Sequence, residues 1–126
     1  MPDYRHSPVP RAVRVAEEIQ RILAELFSTR IQIPEAGLIT VTNVELSTDL
    51  RNANIFISFL AQTGTPQEAL AAIINRRKEV RFQLGQILRL KYVPELRFSY
   101  DSSYERSARI NTILEDLGPL NNEDSN

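Results

Sequence analysis

The residues of this sequence best suited to chemistry are the basic side chains of residues 71–97. Seven cations fall in this segment: Arg76, Arg77, Lys78, Arg81, Arg89, Lys91 and Arg97. Only two carboxylates, Glu79 and Glu95, lie among them, which leaves an excess of five positive charges. The whole chain of 126 residues, by contrast, has a formal net charge of -1. Such a local excess on a nearly neutral chain is typical of a site that binds a polyanion.

The densest part of this segment is the run Arg76-Arg77-Lys78, followed closely by Arg81. A run of charges on a helix is most often a solvated face. This run, however, interrupts an apolar stripe and has only Glu79 nearby in sequence to neutralise it. We therefore interpret it as a polyanion site. Composition alone does not separate RNA from an acidic protein as the ligand.

Three aromatic side chains near the basic segment have the flat faces on which nucleic-acid bases stack. Phe98 and Tyr100 alternate with polar residues, so the pattern predicts that they face the protein core. Tyr92 lies outside that alternation, and both roles stay open for it.

Acid–base, nucleophilic and metal chemistry have little support in the sequence. The chain has no cysteine and one histidine, His6, which falls in an N-terminal arm without a packed environment to orient it. The acidic pairs Glu17-Glu18 and Glu115-Asp116 occupy neighbouring helical positions, which point in different directions. The four glycines are isolated, so the sequence has no phosphate-cradling loop. We predict a protein that is not an enzyme and that needs no cofactor and no metal.

Length and composition predict a single globular domain. Hydrophobic residues make up 42% of the chain, enough to bury a core without disulfides. No apolar run reaches the roughly 20 residues of a membrane span, and the N-terminus lacks the apolar core of a secretory signal. We expect a cytoplasmic monomer that does not enter a membrane. In it, residues 1–9 form a flexible arm, residues 10–118 the domain, and residues 119–126 a disordered acidic tail.

The first elements that must position the basic segment are a helix and a hairpin. Apolar residues spaced by three or four predict a helix that starts at Pro10. β-Branched residues predict a strand over residues 38–46, with a bulge near Thr42-Asn43, where the alternation changes phase. A second alternating strand over residues 53–59 follows turn-forming residues and completes the hairpin.

The basic segment itself falls on a long helix. Thr65 and Glu68 form a capping box with Pro66 at the first helical position, which predicts the helix start. The basic run breaks the apolar stripe, which predicts a kink or two successive helices over residues 75–78. Gly85 is expected to let another part of the backbone approach closely. The apolar stripe comprises Leu70, Ile73, Ile74, Val80, Leu84, Ile87 and Leu88.

Two further elements complete the domain. Residues 95–101 alternate in polarity and predict a third strand, which a right-handed crossover would add to the hairpin. Ser102 and Glu105 form a second capping box, which predicts a final helix that ends at Gly118-Pro119. The order of elements predicts an α+β fold with helices on one face of a three-stranded sheet.

Three segments of this sequence resemble the ribosome-binding factor A family. They are RVAEEIQRILAEL at residues 14–26, GLITVTNVELSTDLRNANIFIS at residues 37–58 and LGQILRLKYVPELRFSYDSS at residues 84–103. The resemblance extends over residues 11–117. It implies a type II KH-like fold of α-β-β-α-α-β order. It also implies a factor that binds the immature small (30S) ribosomal subunit and 16S rRNA, assists late assembly and 5′-end rRNA processing, and supports growth in the cold.

The resemblance also bears on the residues that would contact RNA. The family's pattern is matched at Arg81, Gly85, Arg89 and Leu90, and also at Arg11 and Arg14 at the head of the first helix. Members often have a small residue and a glycine at the helix kink, and Arg76 and Lys78 occupy those positions here. This departure favours side-chain contacts to phosphate over close backbone approach. The expected RNA-binding residues are Arg11, Arg14, Arg76, Arg77, Lys78, Arg81, Arg89 and Lys91. The rival interpretation is a protein-interaction module that docks an acidic partner.

Overall fold

In a computed structural model of the chain, which describes residues 10–102, helix α1 spans Arg11–Thr29 and packs against the first strand of a sheet. Its apolar side chains lie on one face, as their spacing predicts, and its polar side chains on the other. The buried residues of α1 are Val15, Ala16, Ile19, Ile22, Leu23, Leu26 and Phe27. A short 3-10 turn at Pro34–Ala36 then leads into the sheet.

Strands β1, Leu38–Leu46, and β2, Asn52–Leu60, form the predicted antiparallel hairpin. The pairing register shifts between Val41 and Asn43, which confirms the predicted bulge. The side-chain amide of Gln20 on α1 donates a 2.9 Å hydrogen bond to the carbonyl oxygen of Val41. Helix α1 is therefore joined to the sheet at the point where the ladder is irregular.

The long helical segment is two helices, α2 over Pro66–Asn75 and α3 over Arg77–Ile87. Both hydrogen bonds of the predicted capping box are present at Thr65 and Glu68. The break falls at Arg76, whose φ and ψ of -101° and 12° leave the helical region. The prediction of two successive helices is thus confirmed.

The predicted apolar stripe is wrong at two positions, Ile74 and Ile87, which are 40% and 45% exposed. Successive helical residues point about 100° apart, and in each of these two adjacent apolar pairs only one member faces the core. Ile73 and Leu88 are the members that do so.

Strand β3, Glu95–Tyr100, lies parallel to β2 and gives the sheet the order β1-β2-β3. Leu96 and Phe98 are buried, and Tyr100 is partly buried with its ring stacked on Phe59 at 5.7 Å. The alternation therefore assigns Phe98 and Tyr100 correctly to packing. With the helices against the buried residues of the strands, the fold is the predicted α+β arrangement.

None of the helices within residues 10–102 is long and apolar enough to cross a membrane. The predicted N-terminal arm, the final helix that starts at Ser102 and Glu105, and the acidic tail lie outside the described residues, apart from Ser102 itself.

Candidate nucleic-acid interface

A groove lies between helix α3 and the segment that leads into β3. We call it the kink groove, because its lining begins just after the break between α2 and α3. Four cations and one carboxylate line it, which makes its net charge positive. These charged residues are Arg77, Lys78, Arg81, Lys91 and Glu95. A concave surface with this charge attracts a polyanion.

Helix α3 forms one wall of the kink groove. Residues four apart lie one above the other on a helix, so Arg77, Arg81 and Gly85 make one row and Lys78 and Phe82 the next. The side chain of Arg77 is exposed, although the apolar stripe of the sequence passes through its position. Arg77 is the first residue of α3, and its exposure agrees with the high cost of burying an unpaired guanidinium.

Arg81 joins the two walls of the kink groove. Its Nε donates to the carbonyl oxygen of Pro94 at 3.0 Å, and its Nη2 donates to that of Val93 at 2.7 Å. The same Nη2 lies 3.3 Å from Oε2 of Glu95. Much of the donor capacity of Arg81 is thus used within the protein, and its main visible role is to hold the segment before β3 in place.

Gly85 allows the other wall to come close. A Cβ atom at this position would lie 2.8 Å from Cγ2 of Val93, nearer than two carbon atoms can pack. The predicted approach of backbone at Gly85 is therefore wrong, because the group that packs closely there is the side chain of Val93. Gly85 thus lets α3 pack closely against the segment that leads into β3.

A second depression, of about 260 Å³, adjoins the kink groove. We call it the head groove, because Arg11, the first residue of α1, lines it. Arg51, from the turn between β1 and β2, lines it too, and Lys91 and Tyr92 line both grooves. Three cations and one carboxylate, Asp49, line the head groove, and the positive end of the α1 dipole adds to its net positive charge. The fold thus brings the head of α1 and the residues after the kink onto one continuous surface.

The hairpin turn fixes the position of Arg51. The hydroxyl of Ser47 donates to Oδ1 of Asp49 at 2.6 Å and accepts from the backbone N–H groups of Arg51 and Asn52. The hydrogen bond from Ser47 is the main reason that the pKa of Asp49 is lowered. Leu50 takes the left-handed conformation, with φ of 63°, which completes the turn.

Two cations lie near the ring of Tyr92. The guanidinium carbon of Arg51 is 4.8 Å from the ring centroid, and Nζ of Lys91 is 5.6 Å from it. Both distances are within the range of a cation–π interaction. The ring and the two charges therefore form a compact aromatic and cationic cluster between the grooves.

Arg76 points to a different part of the surface. Its Nε donates to Oε1 of Glu79 at 2.6 Å, and its Nη1 donates to the carbonyl oxygen of Gln32 at 2.9 Å. The hydrogen bond between Arg76 and Glu79 raises the pKa of Arg76 and lowers that of Glu79. The cation at the kink position thus ties the helix break to the segment that joins α1 and β1.

The expected RNA-binding residues accordingly divide into three groups. The two grooves bring together Arg11, Arg77, Lys78, Arg81 and Lys91. Arg76 lines a separate depression with Glu35 and Glu68, and Arg14 and Arg89 are exposed outside the lining of the kink and head grooves.

Two residues of this surface were not among the expected ones. Arg51 ends the Ser47–Arg51 turn sequence, and its place beside a basic segment about forty residues later depends on the tertiary fold. The sequence could have identified Phe82 as a candidate site residue, because it is an aromatic residue four positions after Lys78 on a basic helix. Among residues 10–102, no group of three or more His, Cys, Asp or Glu side chains could hold a metal ion.

Comparison with known proteins shows clear similarities. The family model described as Ribosome-binding factor A matches residues 11–114. A ribosome-binding factor A from Natranaerobius thermophilus is 34% identical over 107 residues, which cover 85% of this chain and 82% of that protein.

Two solved structures share the fold. The crystal structure of ribosome-binding factor A from Thermus thermophilus matches this protein with a TM-score of 0.64 and 22% sequence identity. The match covers 71% of this chain and 93% of the Thermus thermophilus chain. A homology model of the Thermus thermophilus factor, fitted into a cryo-EM map of its complex with the 30S subunit, has a TM-score of 0.62 and 22% identity. This match covers 74% of this chain and 97% of the fitted chain.

Proposed function

The chain belongs to the ribosome-binding factor A family, and from that premise we propose that it binds the immature small ribosomal subunit through 16S rRNA. In this role it assists late assembly of the subunit and processing of the 5′ end of 16S rRNA, and it supports growth in the cold. It acts by binding in the cytoplasm and not as an enzyme. A structural relative, the Thermus thermophilus factor, has been fitted into a complex with the 30S subunit, which supports this choice of partner.

The observation that carries the proposal is the continuity of the kink groove and the head groove. Lys91 and Tyr92 line both, so cations from α1, the hairpin turn and α3 face one surface. The chain as a whole is slightly acidic, with a net charge of -1, so nonspecific attraction to polyanions is weak elsewhere. Cations on one concave surface can contact successive phosphates of an RNA backbone.

The proposal is tested by co-sedimentation of the purified protein with small subunits on a gradient at low salt. We expect the parent protein to travel with subunits taken from cells that lack the factor. We expect the double variant Arg77→Ala, Lys78→Ala to stay largely at the top of the gradient. Failure of the parent protein to travel with subunits would remove the proposal.

A matched control removes the same charge from another surface. Arg21 and Arg30 are exposed and lie near the C-terminal part of α1, so the double variant Arg21→Ala, Arg30→Ala should bind like the parent. Equal loss of binding in both double variants would mean that overall charge and not the grooves determines binding.

The cellular role has its own test. Deletion of the gene should lead to accumulation of 16S rRNA with an unprocessed 5′ end, together with slow growth at low temperature. The parent gene should restore both, and the Arg77→Ala, Lys78→Ala gene should restore neither. Normal 5′ ends in the deletion strain would contradict the processing role while leaving subunit binding intact.

An acidic protein partner is the second candidate, because it would also match a cationic surface. It is distinguished by binding to protein-free 16S rRNA, which keeps an RNA site and removes a protein site. Binding to intact subunits without binding to protein-free rRNA would favour the protein partner.

A further inference from the structure

We propose that the kink groove binds unpaired nucleotides, with the rings of Phe82 and Tyr92 stacking on bases while the adjacent cations contact phosphates. The proposal rests on the RNA-binding function proposed above and specifies the form of RNA. It concerns two largely exposed rings, of which Tyr92 already has the cation–π contact with Arg51 described above.

The rings of Phe82 and Tyr92 are both largely exposed to solvent. Phe82 is 62% exposed and Tyr92 is 55% exposed, and among residues 10–102 no other aromatic side chain is exposed to this extent. Aromatic side chains carry a large apolar surface that is normally buried in the core or at an interface. Both rings, moreover, line the same groove.

Cationic side chains lie near both rings. Lys78 lies one helical turn before Phe82 on the same row of α3. On the opposite side, Lys91 and Arg51 lie 5.6 Å and 4.8 Å from the centroid of Tyr92. Each ring therefore has a cation within reach, which is the pairing that single-stranded nucleic acid requires, because base and phosphate alternate along the strand.

Unpaired RNA fits this arrangement of rings and charges better than duplex RNA does. The bases of a duplex are stacked on each other, so their faces cannot meet a protein ring. Phosphates alone would use the cations but would leave both rings in contact with water. An unpaired strand uses both kinds of group at once, and it gains stacking energy that depends little on base identity.

Direct binding measurements test the proposal. The probe is an oligouridine of about ten nucleotides with one 2-aminopurine, a length within the site sizes of single-strand binding domains. We expect tighter binding of this strand than of the same strand annealed to its complement, with 2-aminopurine fluorescence quenched on binding. Replacement of either ring by alanine should weaken binding about 5- to 150-fold and reduce the quenching.

Matched variants separate stacking from other effects. Phe82→Tyr and Tyr92→Phe keep a flat ring and should bind like the parent, whereas Phe82→Leu keeps apolar bulk without the ring and should behave like Phe82→Ala. Ile74→Ala removes an exposed apolar side chain outside the kink groove and should have no effect. Melting temperatures of all variants should stay close to that of the parent, because both rings are largely exposed.

Equal binding of single-stranded and duplex RNA, or an unchanged affinity of the alanine variants, would overturn the proposal. Binding of an acidic peptide that depends on Phe82 and Tyr92, together with no binding of the single strand, would assign the groove to an acidic protein and overturn the proposal too. The wider function remains separable, since subunit co-sedimentation of the parent can succeed while stacking fails. If the parent does not bind subunits but its single-strand binding depends on both rings, only the wider function is lost.

Discussion

Nη2 of Arg81 donates a 2.7 Å hydrogen bond to the carbonyl oxygen of Val93, and this contact spans the floor of the kink groove. It joins helix α3 to the chain just before β3 and, with the bond from Nε to Pro94, satisfies two carbonyl groups of that segment. The guanidinium is thus both a positive charge in the groove and a brace between its walls. Substitutions that keep the charge and lose the brace can separate these roles.

Arg81→Lys should lower the free energy of unfolding by about 1 to 3 kcal/mol, because an ammonium group cannot place two donors in the fork that reaches both carbonyls. Urea denaturation followed by circular dichroism measures the change. The matched control is Arg77→Lys, one turn earlier in the same row and exposed, which should stay within about 0.5 kcal/mol of the parent. Equal stability of the two variants would show that the brace contributes nothing to the fold.

Substitution of buried residues should lower stability, whereas substitution of an exposed cation should lower binding. Ile57 and Leu84 are both 0% exposed, so replacement of either by alanine should cost about 2 to 5 kcal/mol of unfolding free energy. Arg77→Ala should leave the melting temperature within a few degrees of the parent and weaken subunit binding. Thermal melts and co-sedimentation measure the two effects. A stable Ile57→Ala protein, or an unfolded Arg77→Ala protein, would contradict these assignments.

The elements of this fold could be predicted because their signals are local. The capping box at Thr65 and Glu68 and the bulge near Thr42-Asn43 each depend on a few adjacent residues, and both are present where the sequence placed them. Burial was predicted wrongly only within adjacent apolar pairs of the segment that forms α2 and α3. Spacing alone cannot decide which of Ile73 and Ile74 is buried until the helix packs against the sheet.

The site was only partly predictable because its contacts are long-range. The contact of Arg51 with Tyr92 and the hydrogen bond from Arg76 to Gln32 join residues about forty positions apart. Periodicity indicates which face of an element a residue occupies, but it carries no information about the partner that the fold brings to that face. The basic segment was therefore recognisable as a charge cluster, whereas the structural uses of Arg76 and Arg81 were not.

The salt dependence of RNA binding should identify the cations that contact phosphate. If Arg77, Lys78 and Lys91 each contact one phosphate, the triple alanine variant should flatten the slope of log affinity against log salt by about 2 to 2.7. Arg76→Ala should change the slope little, since its guanidinium is already bound to Glu79 and the carbonyl of Gln32. Fluorescence anisotropy over a salt series measures both.

An unchanged slope in the triple variant would move the phosphate contacts away from the kink groove. The head of α1, with Arg11 and Arg14, would then be the next place to examine, by the same measurement on an alanine variant of both residues.

The hairpin turn should show its own pH dependence. The pKa of Asp49 lies below its ordinary value of 3.8, chiefly because Ser47 donates a hydrogen bond to the carboxylate. A lowered pKa means that the ionised form stabilises the fold above the ordinary pKa, and that this contribution is lost as the pH falls through the lower folded value. Ser47→Ala should therefore raise the pKa of Asp49 towards 3.8.

Carboxylate NMR titration between about pH 6 and about pH 2 measures this shift directly. Thr48→Ala is the matched control, because Thr48 is an exposed neighbour in the same turn and should leave the pKa of Asp49 unchanged. The same pKa in Ser47→Ala and the parent would mean that the hydroxyl does not hold the turn that positions Arg51.

Gly85 and Val93 should be energetically coupled. A methyl group at Gly85 would lie 2.8 Å from Cγ2 of Val93, and the branched valine side chain can turn away only by leaving its preferred rotamer. Alanine is also a better helix former than glycine by about 1 kcal/mol. In the parent, the steric conflict should cancel or outweigh this gain, so Gly85→Ala should be neutral or destabilising.

In a Val93→Ala background the conflict disappears, and the same Gly85→Ala substitution should stabilise the protein by up to about 1 kcal/mol. Urea denaturation of the four proteins in this double-mutant cycle gives the coupling free energy directly. RNA binding adds a second reading, because Gly85→Ala in the parent should displace Tyr92 and weaken single-strand binding. If Gly85→Ala stabilised the parent as much as it stabilises the Val93→Ala protein, the two residues would not be coupled. The two walls would then not be in contact at this point, and another feature would set the width of the kink groove.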